Sequence, residues 1–173
     1  MIIGIMGDTH DHLPNIRKAV VALSQGRAEI ILHTGDYIAP FVIPEIAGAE
    51  VPVVGVFGNN DGDCPLLLTR CREEGNIEIR GYFAELECDG QKIALLHGHD
   101  REKLSECVEC GMYDLVVHGH THRSSVTRAG STLCINPGEV CGYLTENPSL
   151  ALYETEDRRD RKSTRLNSSH TSV

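Results

Sequence analysis

An α/β fold, with two mixed sheets covered by helices, is predicted by three observations. Short apolar runs alternate with amphipathic stretches through the first half of the chain, the pattern of parallel strands joined by crossover helices. The second half turns to closely spaced strands around two-residue turn signals, so antiparallel hairpins join the parallel core. At 173 residues with 40% apolar composition, the chain supports one well-cored domain.

The elements follow in order. Ile2 to Met6 reads as a buried strand, and Pro14 opens a helix with Ile16, Val20 and Leu23 on one face until Gly26 stops it. Glu29 to His33 is a second strand, a helix around Phe41 to Ala47 persists despite Pro44, and Val51 to Phe57 is a third strand. Cys64-Pro65 starts a helix that runs to Glu74 and closes at Gly75. Tyr82 to Cys88 and Gln91 to His97 flank Asp89-Gly90, a hairpin turn signal. A helix over Arg101 to Cys110 and a strand over Leu115 to His118 come next. Strands at Ser124 to Arg128 and Ser131 to Ile135 then turn at Ala129-Gly130, and Leu150 to Glu154 is the last strand-like run.

Residues 1–156 form the expected domain, and residues 157–173 a separate tail. From Asp157 onward only Leu166 and Val173 are apolar, so this stretch cannot bury enough surface to fold alone and is expected to be disordered or a non-native extension. His170 is accordingly read as a solvated bystander.

Net charge is −9, but the tail holds five of the 16 basic and two of the 25 acidic residues, leaving 11 basic against 23 acidic in the body. An acidic body without a basic, aromatic-laced stripe disfavours nucleic acid as a partner. No signal-like N-terminus and no apolar run long enough to span a membrane are present, which predicts a cytoplasmic protein without a membrane partner. Seven scattered cysteines argue for reduced thiols, and Cys107-Val-Glu-Cys110 reads as two helix positions one turn apart, ended by Gly111.

The polar residues that carry chemistry sit where apolar runs stop. Asp8 and His10 follow the first strand, Asp36 the second, and Asn59, Asn60 and Asp61 the third. His97 ends the hairpin, and His120 and His122 follow the strand after the last helix. The C-terminal ends of strands deliver side chains to a common edge. Two divalent cations need roughly six to eight mixed oxygen and nitrogen donors with one bridging carboxylate. Asp8, His10, Asp36, Asn59, His97, His120 and His122 make seven. Around them, His33 is expected to be a packed core residue and Asp11 a cap of the first helix. Asp61 is expected to order its own loop, Gly58 and Gly119 to serve turns, and His12 and His99 to lie between supporting and solvated roles.

The order D-x-H, G-D, G-N-N-D, H-G-H and G-H-T-H resembles the calcineurin-like metallophosphoesterases, and more closely their small single-domain YfcE-like phosphodiesterase branch. The resemblance covers residues 1 to about 155, including Ile135-Asn-Pro-Gly-Glu139. It implies a four-layer α/β/β/α sandwich. Asp8, His10 and His122 would hold a first metal, Asn59, His97 and His120 a second, with Asp36 bridging and catalytic roles for Asp36, Asn59, Asn60 and His97. The implied cofactors are two divalent ions, Mn2+ first, with Ni2+, Co2+, Fe2+ or Zn2+ as alternatives.

Departures from the wider family narrow the expected substrate. Larger members carry a histidine where this chain has Asn60, and an aspartate and arginine where it has Ala39 and Pro40 in the stretch Gly35-Asp36-Tyr37-Ile38-Ala39-Pro40-Phe41. Losing these groups weakens leaving-group protonation and the grip on a dianion. Hydrolysis of a small phosphodiester or nucleotide-like molecule by a metal-bridging hydroxide is therefore expected. The alternatives are a binding scaffold of the same fold, as in the retromer subunit of vacuolar sorting, and a nuclease. Apolar surface around Phe41, Tyr82 or Tyr143 offers a face for a homodimer or higher oligomer.

Overall fold

A computed structural model describes residues 1–155 and the backbone of a strand at 168–172. The first half runs β1 (Ile2–Met6), α1 (Leu13–Gln25), β2 (Ile30–His33), α2 (Ile43–Ala47), β3 (Val53–Gly55), α3 (Cys64–Glu74) and β4 (Ile77–Ile79). The second runs β5 (Phe83–Cys88), β6 (Gln91–Leu96), α4 (Arg101–Glu109), β7 (Leu115–Val117), β8 (Ser125–Ala129), β9 (Thr132–Asn136), β10 (Ser149–Glu154) and β11 (Ser168–Ser172).

Two mixed sheets result, ordered β11-β10-β1-β2-β3-β4 and β5-β6-β7-β9-β8. Strands β1 to β4 are parallel, with β10 antiparallel to β1. In the second sheet β6, β7 and β9 are parallel, and hairpin partners β5 and β8 flank them.

Strand periodicity explains the layers. In β1, Ile3 and Ile5 point between the sheets, where they meet Leu32, Ile93, Leu95, Leu115 and Leu133. Met6 faces the other way, into a core with Ile16 and Leu23 of α1, Ile43 of α2 and Leu67 of α3. In β6, Ile93 and Leu95 join the layer between the sheets, while Ala94 and Leu96 pack with Cys107 of α4. Strands covered on both faces read as unbroken apolar runs, and the outcome is the four-layer α/β/β/α sandwich. Each fully buried Ile or Leu contributes about 1.5–3 kcal/mol of transfer free energy. The layer between the sheets thus holds the two site-bearing edges together.

Several local expectations change. The third strand is only Val53–Gly55, and β4, a three-residue strand, was too short to stand out in the sequence. Proline at 40 and 44 splits the second helical region into a 3-10 turn, Pro40–Val42, and the short α2. The last hairpin turns at Gly130-Ser131, because Ala129 still pairs with Thr132. His12, not Asp11, caps α1: its Nδ1 accepts from the Asn15 amide at 3.2 Å, whereas Asp11 Oδ1 accepts from the Ala39 amide at 3.0 Å. Within the tail, Ser168–Ser172 pairs antiparallel with β10, adding an edge strand by backbone bonding. Residues 156–167 and 173 lie outside the described residues.

All seven cysteines are free, with Cys107 buried on α4 and Cys110 exposed at its C-cap before Gly111. No helix among the described residues is long and apolar enough to cross a membrane.

Candidate metal centre

The strand ends converge as expected, and the two sheets contribute different chemistry. The first brings both carboxylates, Asp8 beyond β1 and Asp36 beyond β2, together with His10, Asn59 and Asn60. The second brings His97 beyond β6 and His120 and His122 beyond β7. Five of the seven expected ligands, Asp8, His10, Asp36, His120 and His122, have positive φ without being glycine. Such backbone is costly and persists where surrounding structure over-determines it. Here the tight reversals aim consecutive side chains at one point.

Asp36 is the meeting place. Its Oδ2 lies 3.3 Å from His10 Nε2 and 3.4 Å from His97 Nε2. Asp8 Oδ1 lies 3.4 Å from His122 Nε2 and 3.9 Å from His10 Nε2. Asp8, His10, Asp36 and His122 offer ligand atoms that all fall within 4.8 Å of one another. The His120 amide donates to Asp8 Oδ2 at 3.0 Å, and its ring centroid is 5.1 Å from that of His97.

The asparagines behave differently. Asn60 donates its amide to Asp36 Oδ1 at 2.9 Å and its side-chain Nδ2 to Asp36 Oδ2 at 2.8 Å, so it orients the carboxylate. Asn59 is exposed at the same strand end and makes no hydrogen bond to the other candidates.

Carboxylates and imidazoles this close shift one another. Burial works against charge on His10, but Asp36 and Asp8 prevail and raise it to about 9. Burial would raise Asp36, yet the His10 and His97 rings beside it, together with the hydrogen bonds from Asn60, hold it well below the usual carboxylate range. His97 is raised, against burial, by Asp36 and Asp8, whereas burial and His97 lower His120. This field favours cationic charge at the centre. Asp8 Oδ1, His10 Nε2 and His97 Nε2 are nonetheless buried without a hydrogen-bond partner. Unpaired buried polar atoms are costly, and shared divalent cations would satisfy all three. The donor set of two carboxylates, an amide and four imidazoles fits such ions.

Supporting residues hold the ligands in register. His97 Nδ1 lies 2.8 Å from the Thr34 carbonyl, which can only accept, so that nitrogen carries the proton and Nε2 is left for a ligand. His122 Nδ1 lies 2.6 Å from Glu139 Oε2, which fixes the same tautomer. Glu139 is fully buried and also accepts from Cys141 Sγ at 3.0 Å, the Leu144 amide at 3.0 Å and the Thr145 amide and hydroxyl at 2.6 and 2.7 Å. Burial opposes its charge, but these donors bring it down to about 2. The Ile135 to Glu139 string was the only sequence signal for it.

Asp61 does more than order its own loop. It accepts from the Gly58 amide at 2.7 Å, and also from Asp36 at 3.2 Å and Ile38 at 2.8 Å, tying the loop after β3 to the loop after β2. Two glycines allow carboxylates to come close: a Cβ at Gly58 would lie 2.0 Å from Asp36 Oδ1, and one at Gly119 2.6 Å from Asp8 Oδ2. His33 is fully buried, stacks on Tyr37 at 3.9 Å and accepts from the Gly35 amide at 3.1 Å, the packed role expected of it. Burial pushes it down to about 3. His12 is spent on the α1 cap, while His99 is exposed beside His97.

Known proteins resemble this chain in sequence and fold. A calcineurin-like phosphoesterase superfamily domain matches residues 1–158. The phosphodiesterase MJ0936 of Methanocaldococcus jannaschii is 39% identical over 162 residues, which cover 94% of this chain and 98% of that protein. The solved structure of an archaeal phosphodiesterase superposes with a TM-score of 0.90 at 36% identity, covering 100% of both chains. The zinc complex of Vps29 from Entamoeba histolytica shares the fold, with a TM-score of 0.67 at 22% identity and 99% of both chains covered.

Proposed function

We propose that this chain, which belongs to the calcineurin-like phosphoesterase superfamily and to its small single-domain YfcE-like branch, is a metal-dependent phosphodiesterase acting on a small phosphodiester or nucleotide-like molecule. One observation carries this reading: Asp8 Oδ1, His10 Nε2 and His97 Nε2 are buried and unpartnered around the Asp36 carboxylate. Asp8, His10 and His122 would hold one divalent ion, and Asn59, His97 and His120 a second, with Asp36 between them. When bound, the ions neutralise the phosphate and acidify the attacking water. Mn2+ is the first expectation, although Ni2+, Co2+, Fe2+ and Zn2+ suit the same donors.

The chain's own groups supply position more than proton transfer. Asn60 steadies Asp36, and Thr34 and Glu139 keep the Nε2 atoms of His97 and His122 facing inward. An amide at position 60 cannot protonate a leaving group, which favours singly charged diesters with acidic leaving groups. Retention of all seven ligand-type residues supports catalysis over a pure scaffold, and the acidic body supports a small substrate over a polynucleotide.

The test uses chelator-stripped protein with Mn2+, Ni2+, Co2+, Fe2+, Zn2+ or Mg2+ restored, assayed on bis(p-nitrophenyl) phosphate, p-nitrophenyl phosphate, cyclic nucleotides and single-stranded DNA. Metal-dependent turnover with the diester ahead of the monoester is expected. No turnover with any metal overturns the enzyme reading, and an equal or faster monoester overturns the diester preference.

A further inference from the structure

Among the described residues eight large apolar side chains are exposed, and isolated ones such as Val21 on α1 or Met112 after α4 are ordinary surface. Tyr82 differs because it is joined to the metal centre by rings. It is 58% exposed in the turn before β5, and its ring lies 5.7 Å from that of Phe57, which is 6% exposed. On its other side it meets His99 edge-on at 6.2 Å. The His99 ring is in turn 5.5 Å from His97 and 6.2 Å from His120. Gly98, at φ 98, is the bend that leaves His97 buried among the ligands and His99 exposed just outside them.

We propose that Tyr82 and His99 form a wall on which a planar aromatic ester group of the substrate stacks, beside the ligand pair His97 and His120. This rests on the phosphodiesterase reading above. The ring sequence starts in the core at Phe57 and ends at the ligands, so an ester arm of a phosphate held there finds an aromatic surface on its way out. Phe57 braces Tyr82 from behind. Tyrosine offers a large face at small conformational cost, and stacking accepts any π-system. A neutral ring also suits a surface whose net charge repels polyanions.

The test holds the leaving group constant as p-nitrophenolate and varies the retained ester: p-nitrophenyl, thymidine or methyl. In the metal-loaded enzyme, Tyr82→Ala should raise KM for an aromatic ester about tenfold relative to the methyl ester, the loss of one stacking contact, with kcat little moved. Tyr82→Phe should restore it. A rise for both aromatic esters assigns the wall to planar rings in general, and a rise for the thymidine ester alone assigns it to nucleobases. Equal KM changes across all three substrates overturn the proposal. Binding of diphenyl against dimethyl phosphate, measured by calorimetry on the same proteins, gives the comparison without turnover. An inactive wild type would therefore sink the phosphodiesterase reading, while the binding ratio still decides on the wall.

Discussion

At one end of the centre, Asp8, His10 and His122 gather with Asp36 into a cluster of ligand atoms within 4.8 Å, and Glu139 is buried behind His122. At the other end His97 is fixed by the Thr34 carbonyl, but Asn59 lies exposed on its loop. The closed end owns a carboxylate, Asp8, and shares Asp36; the open end has only the shared one. Preorganisation and charge therefore concentrate at the closed end, and access concentrates at the open end beside His99 and Tyr82. Two ions bound to such a centre should differ in affinity, the closed end holding its ion more tightly.

The largest effect should come from the residue common to both ends. Asp36→Ala is expected to reduce metal content from two ions per chain to none and to lower turnover by about 1,000-fold, because charge and geometry are lost at both ends together. His10→Ala should instead release mainly one ion. Metal content by mass spectrometry after gel filtration makes the distinction. If Asp36→Ala keeps both ions, the two ends do not share a ligand.

The contrast between the ends was only partly legible in the sequence. Strand ends were readable because β1, β2 and β6 are buried on both faces and their apolar runs stop abruptly before Asp8, Asp36 and His97. The interiors of the loops were not. At Asp8, His10 and Asp11 the backbone takes positive φ, so side-chain direction no longer follows strand or helix periodicity. That is why the α1 cap fell to His12 and Asp11 turned to Ala39. Asn60 was expected to have a catalytic role, and its backbone amide and side-chain Nδ2 both donate to Asp36, a pairing that spacing alone does not mark. Glu139 reaches His122 only because the β8–β9 hairpin folds 17 residues of chain back on itself, a closure that spacing alone cannot announce.

A second test reads the electrostatic contrast in metal-free protein. His10, raised to about 9 by its carboxylates against burial, contributes stability that is fully present below its unfolded value of 6.5 and is lost as pH rises through about 9. His97 is raised and has the same sign. His33, lowered to about 3 by burial, acts oppositely: its contribution is present above 6.5 and is lost as pH falls toward 3. Stability of the chelated protein should therefore peak near neutrality. The high-pH limb should fall by about 2 kcal/mol through His10, allowing for its partial solvent screening. Urea titrations from pH 6 to 10 should show this limb flattened in His10→Gln. An unchanged limb would mean that the carboxylate field is not focused on the closed end. Metal-loaded protein should behave in reverse, with binding strengthened as pH rises, since ligand imidazoles must be deprotonated.

The smallest effect is the most selective one. Glu139→Gln preserves shape and leaves an amide oxygen that can accept from His122 Nδ1, but it removes the charge and places a donor among donors from Leu144, Thr145 and Cys141. The His122 ring then loses basicity and orientation without losing its place. Replacing such a partner costs about 10- to 100-fold in metal affinity. That loss should fall on the closed-end ion, because Glu139 touches no ligand of the open end among the described residues. Competition against a graded chelator series resolves the two sites, and the His122 Nδ1 proton resonance in metal-free protein reports the weakened hydrogen bond independently. Weakening of both ions by the same factor would show that the ends act as one unit, coupled through Asp36. Unchanged affinities with a shifted proton resonance would confine Glu139 to holding the Leu144 and Thr145 loop.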